Sequence, residues 1–289
     1  VSTHQPPARE FVRTSLAVPG VSAVYGYLSD GLTPGLHRGL PSRYLTFIIS
    51  LEEPITSADG PQAWAQGRLT RNEVLIGGMH TRPAYVLQPK RQVGIQLAVH
   101  PLAARRLFGL PAGALTALTH EGDDVLGREV AILRDRLHDL PTWEERFGAV
   151  EQFLWRRAMR AEDHPGPRRE VAAAWHWLAS TGGNGSVEEL ARHTSMSSRQ
   201  LGTLIGREIG VGPKMLGRLM RFDRALAGLG AEIRNGRTPN LADLAQDCGY
   251  YDHSHLVRDF QRFTEASPTQ FVAEELRNIQ AGGHQPVTD

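Results

Sequence analysis

The chain has 289 residues, enough for two domains that each bury their own core. Its 40% hydrophobic and 22% charged content fits a globular protein, and apolar runs such as Tyr44–Leu51 are far too short to cross a bilayer. A single cysteine, Cys248, excludes an intramolecular disulfide framework and any multi-cysteine metal site. No basic-then-apolar leader is visible, and together these features lead us to expect a cytoplasmic protein without a membrane partner. Net charge is only +1, so composition does not advertise a polyanionic partner.

The first part of the chain reads as β-rich. Tyr44–Ile49 and Val93–Val99 are dense in β-branched and aromatic residues, and Ala84–Leu87 is a weaker third strand. Turn-formers such as Ser57-Ala-Asp-Gly-Pro61 separate them, which favours a sandwich or barrel. Near Pro101 the pattern changes to a short helix, Pro101–Phe108, opened by proline. A longer helix starts at Thr142, which has capping-box spacing with Glu145. Along it, Trp143, Phe147, Val150 and Leu154 form one apolar stripe, widened by Phe153 and Trp155. Such a stripe commonly packs on its own domain, and its width leaves a homodimer contact open. Glu162–Pro167 cannot continue a helix and reads as a linker, giving domains at 1–163 and 164–289.

The second domain contains an internal repeat. Val187, Leu190, Ala191 and Ser195 align with Leu241, Leu244, Ala245 and Gly249 at a fixed offset. Leu201 and Ile205 align with Leu256 and Phe260 after one extra residue, and both copies then reach a proline, Pro213 and Pro268. Two short helices crossing around a tight turn need a small residue at the crossing, supplied by Ala191 and Ala245. Four residues on, the turn favours a residue that tolerates positive φ; Gly249 suits it and Ser195 suits it less. With Leu201, Leu204 and Ile205, and then Leu256, Phe260 and Phe263, facing the core, Arg199, Gln200 and Thr203 face outward in the first copy. His253, Ser254, Val257, Arg258 and Gln261 do so in the second.

The run from Ala245 to Phe263, ending in Ser267-Pro268 and Phe271, resembles the AraC/XylS family of transcription regulators, and the resemblance covers about Val187 to Phe271. It departs at Ser195, and at Glu265 and Phe271, where the family has glycine and tyrosine; small changes in the local turns are the expectation. The resemblance implies an α+β chain: an N-terminal β-rich, cupin-like domain for sensing or dimerisation, and a C-terminal all-α domain with two helix-turn-helix motifs. It implies a sequence-specific regulator of double-stranded DNA, responsive to a small-molecule effector, able to dimerise, and contacting RNA polymerase if it activates. No cofactor is implied.

In such a head two recognition helices enter successive major-groove segments. Arg199 and Arg258 lie where the family places base readers, and arginine bonds guanine O6 and N7 with two parallel hydrogen bonds. Ser198, Gln200, Thr203, His253, Ser254, Val257 and Gln261 complete the facing set, although Val257 and Gly202 offer little hydrogen bonding. Arg207, Lys214, Arg218 and Arg262 are assigned to phosphates, which set position rather than sequence preference. The connecting helix, from Pro213 to about Gly228, would span roughly 23 Å, short of one DNA turn of roughly 34 Å, so the site is expected to bend or the helices to tilt. From Ser186 to Leu276 there are 11 Lys and Arg against 12 Asp and Glu, a net of −1, so placement must matter more than number.

The competing reading is a metal- or substrate-binding cupin enzyme fused to this head. His37, His80, His100 and His120 are scattered, with no HxH or HExxH spacing; only His80 and His100 have positions that folding could bring together. Gly77-Gly78 and Gly182-Gly183 lack a phosphate-loop context and read as turns, and Cys248 reads as a small core residue.

Overall fold

The computed structural model describes residues 8–160, 166–235, 237 and 239–279. The chain divides into two compact units. Unit 1 spans 1–39, 44–78 and 84–166; unit 2 spans 167–289 together with the short segments Leu40–Arg43 and Met79–Pro83. Most of the expected linker, Glu162–Pro165, lies outside the described residues.

Unit 1 carries two antiparallel sheets. The strands are β1 Ala8–Thr14, β2 Val21–Asp30, β3 Gly35–Gly39, β4 Leu45–Ser50, β5 Ile55–Ala58, β6 Thr70–Asn72, β7 Val74–Gly77, β8 Ala84–Gln88, β9 Gln92–Val99 and β10 Thr119–Glu121. One sheet has the order β1-β2-β9-β4-β7-β10 and the other β3-β8-β5-β6. Register explains the core. Val24 pairs with Leu97, Leu97 with Phe47, and Phe47 with Ile76, so one row of the large sheet is a continuous apolar band. All four are buried, and alternation puts Gln96, next to Leu97, on the other face in solvent. Ser57 and Ala58 are strand residues, not turn; the turn that follows is made at Asp59 and Gly60, where φ is +100°.

Helices then cover this unit: α1 Pro61–Ala65, α2 Ala104–Phe108, α3 Gly122–Leu126, α4 Glu129–Asp139 and α5 Trp143–Arg160. The segment expected as one helix from Pro101 is a single 3-10 turn, Pro101–Ala103, leading into α2. Phe108 of α2 meets Phe47 edge-on at 5.8 Å. The α5 start is capped as its sequence requires: Thr142 Oγ1 donates to Glu145 at 2.7 Å and accepts from the Glu145 amide. Phe147, Val150 and Leu154 are buried within the unit. Trp143 stacks on Phe147 and lies over Gly26 of β2, where a Cβ would fall 2.5 Å from the indole. The stripe offered as a dimer face is therefore core. What α4 and α5 leave exposed is Ile132 (61%), Met159 (51%) and Trp155 (36%).

Unit 2 is helical: α6 Arg169–Ser180, α7 Val187–His193, α8 Ser198–Ile209, α9 Pro213–Arg234, α10 Leu241–Asp247, α11 His253–Thr264 and α12 Pro268–Ile279. The pairs α7–α8 and α10–α11 repeat the same lengths, 7 and 12 residues. Around α9, Phe222 contacts Phe260 at 5.2 Å and Phe263 at 4.9 Å, and Phe260 in turn meets Phe271 of α12. These rings and Leu201, Ile205, Leu216 and Leu219, all buried, form the unit's own core.

Two expectations change here. Helix α9 runs 22 residues, about 33 Å, so the shortfall against one DNA turn, and with it the length argument for bending, disappears. Gly228 does not end the helix; it makes room for Leu244, whose Cδ1 would lie 2.8 Å from a Cβ there. At the departures Ser195 and Glu265 the backbone is strained. Both residues adopt the left-handed conformation, with φ of 54° and 55°, that glycine would occupy without cost.

Candidate nucleic-acid interface

Each of the four helices in the repeat begins on a side-chain cap. Ser186 and Glu189 form a capping box for α7, and Ser197 and Gln200 form one for α8. Asn240 caps α10, and Asp252 caps α11 by accepting from the His255 amide at 2.7 Å. The caps fix where each helix starts, and hence which residues face out one turn later. In the second copy the turn is made by Gly249 at φ +76°, against which the Asn184 side chain packs so closely that no Cβ fits.

Ser198, Arg199, Gln200, Thr203 and Arg207 are exposed on or near α8, and His253, Ser254, Arg258, Gln261 and Arg262 on α11. Lys214 is exposed in the first turn of α9, after Gly212 and Pro213, a turn with no acidic residue. Val257 and Arg218 are only half-exposed. Several of the predicted readers already have local partners. Gln200 Oε1 accepts from the Ser197 hydroxyl at 2.9 Å, so this side-chain oxygen serves the cap. Thr203 donates to the Arg199 carbonyl, and Arg258 Nε donates to the Ser254 carbonyl at 3.2 Å, which lays its stem along the helix. Arg199, Arg207, Lys214 and Arg262 have no ion-pair partner among the described residues. Arg218 is different: its guanidinium is paired with Asp259.

A charged cluster that sequence reading missed lies behind α11. Asp259 is fully buried, and the Tyr250 hydroxyl sits near it; burial and that carboxylate push the phenol far above its ordinary value. Arg221 lies over the Tyr250 ring at 5.7 Å and donates to the Gly183 carbonyl at 2.8 Å. His255 packs edge-on against Tyr250 at 5.2 Å, and its pKa is lowered, first by burial. A polar residue at a helical position that should be apolar was the available signal: Asp259 falls three residues after Leu256 and four before Phe263, both core residues. Cys248 is buried and its thiol is pushed up by that burial, which keeps it protonated.

Two histidines weighed as metal ligands have backbone partners. His80 Nδ1 lies 2.6 Å from the Arg82 carbonyl, while His100 caps the 3-10 turn through the Leu102 amide. Among the described residues no group of three His, Cys, Asp or Glu is placed to hold a metal ion. Nor is any helix among them long and apolar enough to cross a membrane.

A family model described as a helix-turn-helix domain matches residues 190–274, the span from Leu190 of α7 into α12. This region is a helix-turn-helix domain. It takes in both helix pairs from Leu190 onward, and a domain of this kind binds DNA. No curated protein matches the chain by sequence. Among solved structures the chain is similar to ToxT from Vibrio cholerae. The apo ToxT K231A structure is 8% identical, with a TM-score of 0.47, covering 93% of this chain and 97% of that one. A 1.65 Å structure of ToxT is 9% identical, with a TM-score of 0.46, covering 93% and 98%. Wild-type ToxT bound to an unsaturated fatty acid is 8% identical, with a TM-score of 0.47, covering 86% and 94%.

Proposed function

We propose that α8 and α11 are paired recognition helices, which read two successive major-groove segments of one duplex. The observation that carries this reading is the repeat of a seven-residue helix, a turn and a twelve-residue helix, each with its cap. Arg199 and Arg258 are the base readers, with His253, Ser254 and Gln261 beside them. Arg207, Lys214 and Arg262 hold phosphates, and Ser198, Gln200 and Thr203 contribute through the start of α8. Selection of bound duplexes from a random pool, followed by footprinting, tests it. Two protected major-groove segments about one turn, roughly 34 Å, apart are the expected result. Enrichment of no sequence, or of a single short segment, would refute it.

Unit 1 is the regulatory part: it takes a small-molecule effector and acts as no enzyme. Supporting a polar ligand are Ser57 Oγ and Asn72 Oδ1, buried in the smaller sheet without hydrogen-bond partners among the described residues. The protein works in the cytoplasm, as a homodimer formed through the exposed Ile132, Trp155 and Met159, and as an activator it contacts RNA polymerase. Sedimentation of Trp155→Glu against the wild type tests the dimer; a wild type that remains monomeric at micromolar concentration overturns it.

A further inference from the structure

The pairing of Arg218 with Asp259 assigns Arg218 a task other than holding a phosphate. Asp259 follows Arg258 in sequence and lies about 100° round α11 from it, with 0% of its side chain exposed. Its Oδ1 accepts from Arg218 Nε at 3.0 Å and from Nη2 of the same guanidinium. Its Oδ2 meets no hydrogen-bond criterion among the described residues, although the Tyr250 hydroxyl stands near the carboxylate. Arg218, on α9, is itself 22% exposed and lies over the Phe263 ring at 5.5 Å.

Apolar contacts hold α11 against α9 but set its rotation poorly. Phe260 and Phe263 meet Phe222, and burial of rings is favourable over a range of angles. A charge-assisted hydrogen bond is directional, and a buried carboxylate leaves the cation it is paired with only at a large desolvation cost. A rotation of α11 that moved Arg258 along the groove would pull Asp259 away from Arg218.

We propose that Arg218 and Asp259 are a positioning pair, which fixes the rotation of the second recognition helix on the connecting helix and so sets which bases α11 can read. This rests on α11 being a recognition helix. Arg218 serves DNA through α11, and its guanidinium is not a phosphate ligand.

The two assignments predict opposite results for Asp259. If Arg218 were a phosphate ligand held back by its carboxylate, Asp259→Asn would release it, tighten binding and steepen the salt dependence. As a positioning pair, either loss relaxes the same contacts. The test uses the full chain with Asp259→Asn, Arg218→Met and the double variant Arg218→Met/Asp259→Leu, after thermal unfolding has shown which are folded. The double variant removes both charges, so it retains a measurable protein should Arg218→Met strand the carboxylate and unfold. Affinity is measured for the selected duplex and for single-base changes in each half, across a salt series.

Each folded variant is expected to lose about tenfold in discrimination at the bases facing α11, with discrimination at the α8 bases and the salt slope kept. The double variant should lose no more than a single one, as expected for two residues acting as one unit. A salt slope lower by about one unit in Arg218→Met, with wild-type discrimination in Asp259→Asn, overturns the proposal. A wild type without base preference in the α11 half removes instead the reading of α11, and the pair's role with it.

Discussion

Arg258 and Lys214 are both exposed cations of one domain, and their surroundings set them to different tasks. Arg258 lies one turn into α11 with its stem held by the Ser254 carbonyl, which leaves the Nη groups to reach a base edge. Arg258→Ala should cost about 1–3 kcal/mol on the selected site and relax preference at one base position. Lys214 stands at the uncapped start of α9, where helix amides and the ammonium together suit a phosphate. Lys214→Ala should weaken all duplexes about equally and lower the salt slope by about one unit. Titration of both variants against single-base duplexes over a salt series separates them; a uniform loss for Arg258→Ala would show it reads no base. His255 supplies a pH test at the same scale. Burial lowers its pKa, with Arg221, Arg258 and Arg218 acting the same way and Asp259 opposing them, while Tyr250 packs on the ring. The fold therefore favours neutral imidazole. That stability is complete above the unfolded value of about 6.5 and is lost as pH falls through the lowered folded value. Thermal unfolding of the wild type should thus lose ground to His255→Gln between about pH 7.5 and 5.5. A wild-type advantage that grows on acidification would contradict the sign.

Ser195 and Glu265 show what an element demands of its sequence. Both turns keep a left-handed residue although neither residue is glycine: Ser195 stands between α7 and α8, and Glu265 ends α11. Such a conformation costs an ordinary residue about 1–2 kcal/mol, of which glycine's greater freedom in the unfolded chain returns a part. Ser195→Gly and Glu265→Gly should each stabilise the protein by about 1 kcal/mol, read from urea unfolding, and the two effects should add. Destabilisation by either would mean that the side chain's own contacts outweigh its backbone strain. Elements that repeat were the most legible: Ala191 and Ala245, the turn four residues later and the returning proline all marked the helix pairs. Lone elements were harder to read. Helix α6 escaped notice although Val171, Ala174, Trp175 and Leu178 lie on one buried face, since nothing nearby repeated it. The end of α9 was read at Gly228, yet only the packed structure shows that glycine there admits Leu244. Asp259 was half legible: its spacing from Leu256 and Phe263 marks an inward position, but its partner Arg218 lies on another helix.

Across the whole molecule, the balance of 11 cations and 12 anions from Ser186 to Leu276 hides the field that DNA would meet. Much of the negative charge is already committed. Glu189 and Asp252 cap helices, Asp259 is buried against Arg218, Glu232 pairs with Arg237, and Asp243 accepts from Asn240. Arg199, Arg207, Lys214 and Arg262 have no such partner among the described residues. Unit 2 also has its own aromatic and aliphatic core, so recognition should survive removal of unit 1. A fragment from Pro167 to the C-terminus carries the whole repeat and lacks only the segments Leu40–Arg43 and Met79–Pro83 of its unit. We predict that it folds cooperatively and prefers the selected duplex over a scrambled one by about a thousandfold or more. With Arg207, Lys214 and Arg262 at phosphates, log affinity should fall against log salt with a slope of about −3. Titration of the fragment on both duplexes from low to physiological salt provides the measurement. A fragment that folds yet binds both duplexes equally would place sequence discrimination outside the repeat, whatever the total affinity. A slope near zero would refute the assignment of these cations to phosphates, because bound cations must release counterions however sequence is read.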